Sequence, residues 1–414
     1  MKVLWFEVSI PANFKATNNV VLGWQDSLEQ IVKKCPEIEL FIAFESDGNE
    51  DVKCVDGVTY IPMNTSYSFW ERKRNDMTWN VKERKAVENG IKVIEKYKPD
   101  IVHVFGNEWP FGLIAKYTEV PLVIHIQGSI IPYNNALYPP GYNGLTLALD
   151  AGLNIRKQWQ IIKKHLNDVS RLKMEQRIWK TVSNYMGRTE WDKALVHLLH
   201  PGATYHHVDE ALRPIFTKTN KRWKYQDNKK LKLITTGCSS FWKGIDVMLK
   251  TAHILKEAKI DFEWNVAGSM PKSLRQAVEN KEHLNFAENN VNILGFTSPE
   301  RLVDLLCEST MYVHTAYIEN SPNSICEAQI LGVPVVSTMV GGISTLVRYD
   351  VDGKLLPAND PWQIAYTIIA LSKDKERMNY YSSNSMKIAQ QRHAPCNILK
   401  DLLECYKSII KNEK

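Results

Sequence analysis

Short apolar runs alternate with longer amphipathic stretches along nearly the whole chain. Apolar runs of strand length lie at residues 2–8, 39–44, 100–105, 121–126, 181–186 and 204–208. Between them, segments such as 24–34 and 82–97 repeat apolar residues with the 3.6-residue period of a helix. Strands separated by helices predict parallel sheets that carry helices on both faces.

One polar, basic segment without any period interrupts this alternation and begins at residue 216. Strand-like runs start afresh after it, at 232–237, 261–268, 291–295, 311–315 and 333–338. Because 414 residues exceed the usual size of one core, we expect an α/β fold of two doubly wound, Rossmann-like domains. The expected boundaries are 1–215 for the first domain, 216–230 for a linker, 231–393 for the second domain, and about 394–414 for a final helix packed back on the first domain.

Composition narrows the class of protein. The hydrophobic content of 44% and the charged content of 24% are ordinary for a globular protein. The longest apolar runs are too short and too interrupted to span a bilayer, and the opening run is too short for a signal peptide. The seven cysteines form no CxxC pair and no zinc-like spacing. We therefore expect a cytoplasmic protein with reduced thiols and no metal site.

The net charge of +6 is mild, but the basic residues are clustered. One cluster reads RKR at 72–74, and a second occupies residues 156–180. Such clusters are often solvated helix faces, and the functional alternative is peripheral contact with an anionic membrane at its inner face. Nucleic acid is not expected as a partner, because no recognised binding motif accompanies the charge.

The segment ENSPNSICEAQILG places two carboxylates around a predicted helix start. Ser321 and Pro322 suit a cap and a first helical position, and Gly332 is the matching stop. A helix over about 322–331 would leave free N–H groups at its start, and these belong to Asn323, Ser324 and Ile325. With Glu319 before the helix and Glu327 inside it, the segment predicts an anion site beside two acceptors of sugar hydroxyls. A solvated helix after an ordinary loop is the alternative.

Two further segments add to this chemistry. Lys243 and Gly244 stand between a strand and a helix start, where a lysine is unfavourable unless an anion such as a diphosphate lies beside it. Gly341 and Gly342 follow another buried run, and a glycine pair lets the backbone approach a ligand closely. A solvent-facing lysine and a plain turn are the alternatives.

Together these motifs resemble the C-terminal half of retaining glycosyltransferases of the GT-B fold, in particular family 4. The family pattern runs E-x7-E-A, G-x-P-V-V, GG and DG-x-L-L, and here it reads ENSPNSICEA, GVPVV, GG and DGKLL in the same order over 237–356. The N-terminal half resembles the family more loosely, through its opening strand and the segments PDIVHVFGN and PLVIHIQG. The resemblance implies two Rossmann-like domains facing each other across a cleft, with the acceptor on the side of the first domain and the nucleotide sugar bound by the second.

The resemblance also implies roles for single residues. Glu327 would hold the ribose hydroxyls of a nucleotide-diphosphate sugar, Glu319 would contact the transferred sugar, and Lys243 would neutralise the diphosphate. Backbone N–H groups at the helix start would bind sugar or phosphate oxygens. Gly23 corresponds to a glycine that lets a helix start approach the diphosphate, and His125 falls where the family often has a histidine near the sugar.

Three departures from the family pattern concern charge and backbone. Cys238 stands where the family usually has an arginine, Thr345 where it usually has a glutamate, and Gly23 where it often has two glycines. Loss of the arginine removes a positive charge from the leaving-group site. We therefore expect Lys243 to carry that charge alone, or Arg188 to face the cleft and bind phosphate or acceptor.

These expectations combine into one predicted activity. The chain should transfer a sugar with retention from a nucleotide-diphosphate sugar to a hydroxyl of a glycan or lipid-linked acceptor, without a cofactor or metal. A GT-B protein that binds nucleotide sugars or glycans without catalysis, and a GT-B nucleotide-sugar epimerase, are the alternatives. A dinucleotide-dependent oxidoreductase is disfavoured, because no complete GxGxxG follows a strand.

Overall fold

The chain forms two compact units, each built on one β-sheet. The computed structural model describes residues 1–14, 23–46, 48, 50–144, 155–227 and 229–412. Within these, the first unit contains residues up to 134, 155–211 and 394–412, and the second contains 135–144 and 212–393. No helix in these described ranges combines the length and the apolar character that a membrane crossing requires.

The first unit has an eight-stranded sheet. Its strands are β1 (Lys2–Glu7), β2 (Glu39–Ser46), β3 (Lys53–Val55), β4 (Val58–Asn64), β5 (Ile101–Phe105), β6 (Leu122–His125), β7 (Asn184–Gly187) and β8 (Thr204–His207). They lie in the order β3-β4-β2-β1-β5-β6-β7-β8, and every pair is parallel except β3 with β4. The six strand-like runs of the sequence are therefore confirmed, and the β3–β4 hairpin is an addition.

Helices cover both faces of this sheet, which is why strands such as β5 are buried along their whole length. They are α1 (Trp24–Val32), α2 (Phe69–Asn75), α3 (Asn80–Tyr97), α4 (Ile130–Tyr133), α5 (Ile155–Thr181) and α6 (Glu190–Leu199), with a 3-10 helix at Pro110–Tyr117. The last helix of the chain, Pro395–Asn412, also belongs to this unit. Its Tyr406 hydroxyl lies 3.1 Å from Trp5 Nε1 and 2.7 Å from His103 Nδ1 in the core.

The second unit has a six-stranded, fully parallel sheet. Its strands are β9 (Leu231–Thr236), β10 (Phe262–Ala267), β11 (Val291–Gly295), β12 (Met311–His314), β13 (Val335–Thr338) and β14 (Lys354–Leu356), in the order β11-β10-β9-β12-β13-β14. The helices of this unit are α7 (Pro214–Lys218), α8 (Ile245–Glu257), α9 (Lys272–Glu282), α10 (Pro299–Glu308), α11 (Asn323–Leu331), α12 (Ile343–Leu346), α13 (Pro361–Ser372) and α14 (Lys375–Arg392). The label α15 denotes the helix Pro395–Asn412 of the first unit. Short 3-10 turns lie at 134–136, 241–243 and 287–289.

Two segments differ from the expected domain division. Residues 135–144 group with the second unit, where Tyr142 donates a hydrogen bond to Glu282 at 2.6 Å. Part of the expected linker is folded as well, since Phe216 is buried and Trp223 donates its Nε1–H to the Ser309 carbonyl at 2.8 Å. The polar run after residue 216 hid these apolar anchors, because they are spaced too widely to form a helical stripe.

Candidate active site

The second sheet brings Lys243 and Glu319 together. The strand order reverses direction between β9 and β12, and side chains that follow the carboxyl ends of two such strands converge at the switch point. Lys243 follows β9 at the end of a 3-10 turn, and Glu319 follows β12. The Lys243 Nζ donates directly to Glu319 Oε1 in an ion pair. The sequence interpretation placed both residues beside one anion site, and the fold makes them neighbours.

The charge of Glu319 is fixed by its surroundings. Burial alone would raise its pKa, because only 5% of the residue is exposed. The Lys243 ammonium outweighs that effect together with His314, whose Nε2 lies 3.4 Å from Glu319 Oε1, and the pKa falls to about 2. A carboxylate that is ionised at neutral pH can accept hydrogen bonds from hydroxyls but has no proton to give as a general acid.

Two glycines allow the loops of this pair to pack closely. Gly244 has a φ of +68°, and a Cβ there would lie 1.8 Å from the Thr315 carbonyl oxygen. Gly341 has a φ of +51°, and a Cβ there would lie 1.9 Å from the Glu319 carbonyl oxygen. Any other residue would be strained at both positions. Gly342 was expected to approach a ligand, but its N–H donates to the Glu319 carbonyl at 3.0 Å, so the glycine pair positions Glu319 instead.

The helix start near Glu319 begins one residue later than expected. Pro322 is the N-cap and Asn323 the first helical residue, so Ser321 is not the cap. The N–H of Ile325 donates to the Pro322 carbonyl at 2.9 Å and is therefore not free for a ligand, contrary to our expectation. In the described part of the chain, the N–H groups of Asn323 and Ser324 have no acceptor, and they remain the anion-binding groups of this start.

Glu327 lies inside the same helix and pairs with Arg213. The guanidinium holds both carboxylate oxygens, with Nε 2.7 Å from Oε1 and Nη2 2.8 Å from Oε2. Burial raises the pKa of Glu327, and the hydrogen bonds and charge of Arg213 oppose that effect. Arg213 itself lies 4.7 Å from the centre of the Phe216 ring. Its role was missed, because a single arginine 114 residues before its partner carries no local signal.

Cys238, which stands where the family usually has an arginine, adds no positive charge beside Lys243. Its side chain is fully buried, and burial raises the pKa of the thiol to about 12. A neutral thiol cannot balance the charge of a diphosphate. Thr345, the other unusual residue, accepts a hydrogen bond from Arg392 through its carbonyl at 3.1 Å. Lys243 is thus the basic side chain that the sequence pattern and the geometry both place at this site.

Three of the predicted site residues lie in the first unit, and Gly23 differs from expectation. It is the N-cap of α1 with a φ of −84°, which any residue can adopt. Its N–H donates to Asp26 Oδ2 at 2.7 Å, and Asp26 Oδ1 accepts from Ala12 at 2.8 Å. The Asp26 carboxylate therefore occupies the place where an anion was expected at this helix start.

His125 ends β6 and is fully buried. Its ring lies 4.8 Å from Trp24 and 5.4 Å from His103, measured between ring centres. Burial holds its pKa well below the usual value, so the imidazole is neutral. Neither ring nitrogen has a hydrogen-bond partner among the described residues. This donor and acceptor pair is available to a ligand only if one displaces the packing around it.

Arg188 follows β7 and is engaged inside the first unit. Its Nη2 donates to the carbonyls of Ile126 at 3.4 Å and Gln127 at 3.3 Å, while Nε lies 4.0 Å from Glu210 Oε2. Only 3% of the residue is exposed. The structure thus places the Arg188 guanidinium beside a buried carboxylate inside the first unit, and its expected role toward phosphate or acceptor stays a prediction.

Glu108 is a buried carboxyl group of the first unit that the sequence interpretation did not single out. It follows β5, which lies beside β1 where the order of the first sheet reverses. Its carboxylate fills the space above two glycines, since a Cβ on Gly106 would lie 2.6 Å from Oε2 and one on Gly128 would lie 3.0 Å from Oε1. Burial raises the pKa of Glu108 to about 7, and Glu175 nearby adds to that effect. No local sequence pattern indicates that the Glu108 carboxyl is buried.

The raised pKa of Glu108 predicts a pH-dependent stability. Between pH 4.5 and 7 the unfolded chain ionises this carboxyl while the folded chain keeps its proton, so its contribution to stability falls as pH rises. We expect Glu108→Gln to be more stable than the wild type, and this gain in the free energy of unfolding should be roughly 2 kcal/mol larger at pH 8 than at pH 5. Urea denaturation of this variant and of the surface control Glu119→Gln at both pH values measures it, and equal gains for the two variants would contradict it.

The chain is similar in sequence to known glycosyltransferases. Residues 217–388 match the family model described as glycosyl transferases group 1. The chain is 23% identical over 221 residues to the amylovoran biosynthesis glycosyltransferase AmsK of Erwinia amylovora. The matched residues cover 51% of this chain and 52% of AmsK. The chain therefore spans about half the length of this curated relative.

Solved structures resemble the whole chain. A sucrose-phosphate synthase from Thermosynechococcus elongatus has a TM-score of 0.73 at 14% identity, with 99% of both chains covered. Anabaena HepE in complex with UDP-glucose has a TM-score of 0.65 at 16% identity, with 99% of this chain and 100% of HepE covered. At such identities the likeness shows the fold, which is the GT-B fold expected from the sequence.

Proposed function

Because residues 217–388 belong to the glycosyl transferases group 1 family, we propose that this glycosyltransferase moves a sugar with retention from a nucleotide-diphosphate sugar to an acceptor hydroxyl. The acceptor would be a glycan or a lipid-linked glycan in polysaccharide or glycoconjugate synthesis. The relation to an amylovoran glycosyltransferase supports that setting, and the UDP-glucose complex of a protein with this fold supports the donor class. Nucleotide sugars are cytoplasmic metabolites, so we place the protein there.

The observation that carries this proposal is the Lys243–Glu319 ion pair next to the start of α11. Each partner offers what one part of the donor needs, an ammonium for the diphosphate and a carboxylate for sugar hydroxyls. The N–H groups of Asn323 and Ser324 add to the positive end of the helix. Donor binding would replace one protein ion pair by two contacts with the substrate: the ammonium would face the diphosphate, and the carboxylate oxygens would accept hydrogen bonds from sugar hydroxyls.

Glu327 and Arg213 would bind the nucleotide end of the donor. A bidentate pair leaves one lone pair on each carboxylate oxygen, and the two hydroxyls of a ribose can donate to them. Arg213 orients the carboxylate and favours its ionised form, whereas burial favours its neutral form. Arg213 is accordingly a positioning residue that acts through Glu327.

In the proposed reaction the bond from the anomeric carbon to the diphosphate oxygen breaks while a bond to the acceptor oxygen forms on the same face. The departing diphosphate takes the proton of the acceptor hydroxyl, so no protein carboxylate has to act as nucleophile or base. Lys243 and the helix start stabilise the negative charge that develops on the leaving group. In this proposal they take the place of a metal ion, and the nucleotide sugar is a substrate rather than a cofactor.

The test is a thermal-shift screen across nucleotide sugars, followed by turnover of the best donor. A specific rise in melting temperature identifies the donor, because a ligand of the folded state stabilises it by mass action. NMR of the product, or of the free sugar formed by slow donor hydrolysis, then gives the anomeric configuration. A product with inverted configuration would exclude the retaining mechanism. Binding without any turnover would favour the non-catalytic alternative, and an epimer formed without acceptor would favour the epimerase.

A further inference from the structure

The helices α2 and α5 of the first unit expose large apolar side chains. Phe69 and Trp70 at the start of α2 are 63% and 78% exposed, and Trp159 on α5 is 52% exposed. Ile162 and Leu166 of α5 are exposed as well. Residues 159, 162 and 166 recur at helical spacing, so they form one stripe along α5.

Hydrogen bonds and an ion pair join the end of α2 to α5. Asn167 of α5 donates its Nδ2–H to the Asn75 carbonyl at the end of α2, at 2.9 Å. The Lys163 Nζ lies 3.0 Å from Asp76 Oδ2, one residue after α2. The apolar stripe of α5 therefore runs beside the end of α2, and we refer to Phe69, Trp70, Trp159, Ile162 and Leu166 with their basic neighbours as the α2–α5 face.

The charge of the α2–α5 face is positive. Arg72, Lys73 and Arg74 form the last turn of α2. Among the described residues, none of these three forms an ion pair. The nearby carboxylates are already used, since Lys85 and Arg84 pair with Glu71 and Lys163 pairs with Asp76. The surface thus combines exposed aromatic rings with uncompensated cations.

We propose that the α2–α5 face binds the surface of an anionic lipid bilayer. Tryptophan and phenylalanine enter the headgroup region of a bilayer readily, and lysine and arginine next to them meet acidic headgroups. A second copy of the chain fits less well, because two such faces would bring like charges together. The proposal deepens the proposed function, since a lipid-linked acceptor would lie in the same bilayer.

The test is co-sedimentation of the full chain with vesicles of 30% phosphatidylglycerol in phosphatidylcholine, and with vesicles of phosphatidylcholine alone. We expect binding to the anionic vesicles at 50 mM NaCl and a loss of at least tenfold at 500 mM NaCl, because salt screens the charges. Trp70→Ala with Trp159→Ala should weaken binding about tenfold. Replacement of Arg72, Lys73 and Arg74 by glutamine should do the same and remove most of the salt dependence.

Trp362→Ala with Tyr366→Ala is the matched control. These two aromatic residues of α13 are 71% and 73% exposed, and their removal should leave vesicle binding unchanged. Equal losses of vesicle binding in the control and in the Trp70/Trp159 variant would overturn the proposal. Strong binding to neutral vesicles would do the same, and so would a change of oligomeric state in place of vesicle binding. Donor hydrolysis in lipid-free buffer separates the two ideas, because it should be unchanged in the Trp70/Trp159 variant. If the wild type bound vesicles but hydrolysed no donor, the result would contradict the proposed transferase activity and leave the proposed membrane binding standing.

Discussion

Lys243→Ala should lower kcat for sugar transfer by about 10²–10³-fold, the usual effect of removing one group that stabilises developing charge. The effect should be large because Cys238 is a neutral, buried thiol, so the leaving diphosphate has no arginine at that position to share the charge. Steady-state kinetics with the donor found by the thermal-shift screen measures it. Lys243→Arg keeps the positive charge and should retain more activity than alanine, which separates loss of charge from loss of shape.

The same variant should also be less stable. Glu319 would remain buried with His314 as its neighbour but without the ammonium, at a cost on the order of 3 kcal/mol. Because the pKa of Glu319 in the folded chain, about 2, lies below its usual 4.5, the pair stabilises the fold above pH 4.5 and loses that effect as pH falls toward 2. The stability difference between wild type and variant should therefore shrink in acid.

Two controls make the result specific to this pair. Lys230→Ala breaks a surface ion pair with Glu263 and should change stability by less than about 1 kcal/mol. The double variant Lys243→Ala/Glu319→Gln removes the uncompensated charge, so it should regain stability without regaining transfer. Wild-type turnover in Lys243→Ala would contradict the assignment of Lys243 to the leaving group.

Glu327→Ala should weaken nucleotide binding by about 10–100-fold, as expected when a charged hydrogen-bond acceptor is lost and Arg213 is left without its partner. Glu319→Ala should instead leave nucleotide affinity nearly unchanged and lower kcat. Titration calorimetry with the free nucleoside diphosphate and kinetics with the full donor measure the two effects separately. If Glu327→Ala binds the nucleotide as tightly as the wild type, Glu327 does not hold the ribose.

Arg213 provides an independent check on Glu327. Arg213→Ala removes the hydrogen bonds and the charge that oppose the rise in the pKa of Glu327, so this carboxyl should shift further toward its neutral form. Nucleotide affinity should then fall although no atom of Glu327 has changed. Arg213→Lys should restore only part of it, because a lysine cannot make two parallel hydrogen bonds to one carboxylate.

Most of the fold could be predicted because the strands of a parallel sheet are buried on both faces and appear as continuous apolar runs. The β3–β4 hairpin was missed for the converse reason, since all three residues of β3 are exposed and Pro62 interrupts β4. Asp56 and Gly57 between the two strands are nevertheless a typical hairpin turn, and both have positive φ. That turn signal could have identified the hairpin.

The candidate site was predictable where its residues share one local segment. Glu319, Glu327 and the start of α11 lie within a few residues of each other, so helix-capping rules located them to within one position. Arg213 and Glu108 depend on contacts made by folding, and the surrounding sequence gives neither burial nor partner. Gly342 was expected to approach a ligand, because a glycine pair indicates a close approach of the backbone. The sequence does not identify the group that is approached, which here is the Glu319 carbonyl.

The return of α15 to the first unit has a consequence for biosynthesis. The Tyr406 hydroxyl that contacts Trp5 and His103 in the core of this unit lies almost at the end of the chain. A ribosome must therefore translate the whole second unit before the first can close its core. The second unit is nearly continuous in sequence and can mature during translation, whereas the first waits with an unfilled groove for its final helix, exposed to chaperones and proteases in the meantime.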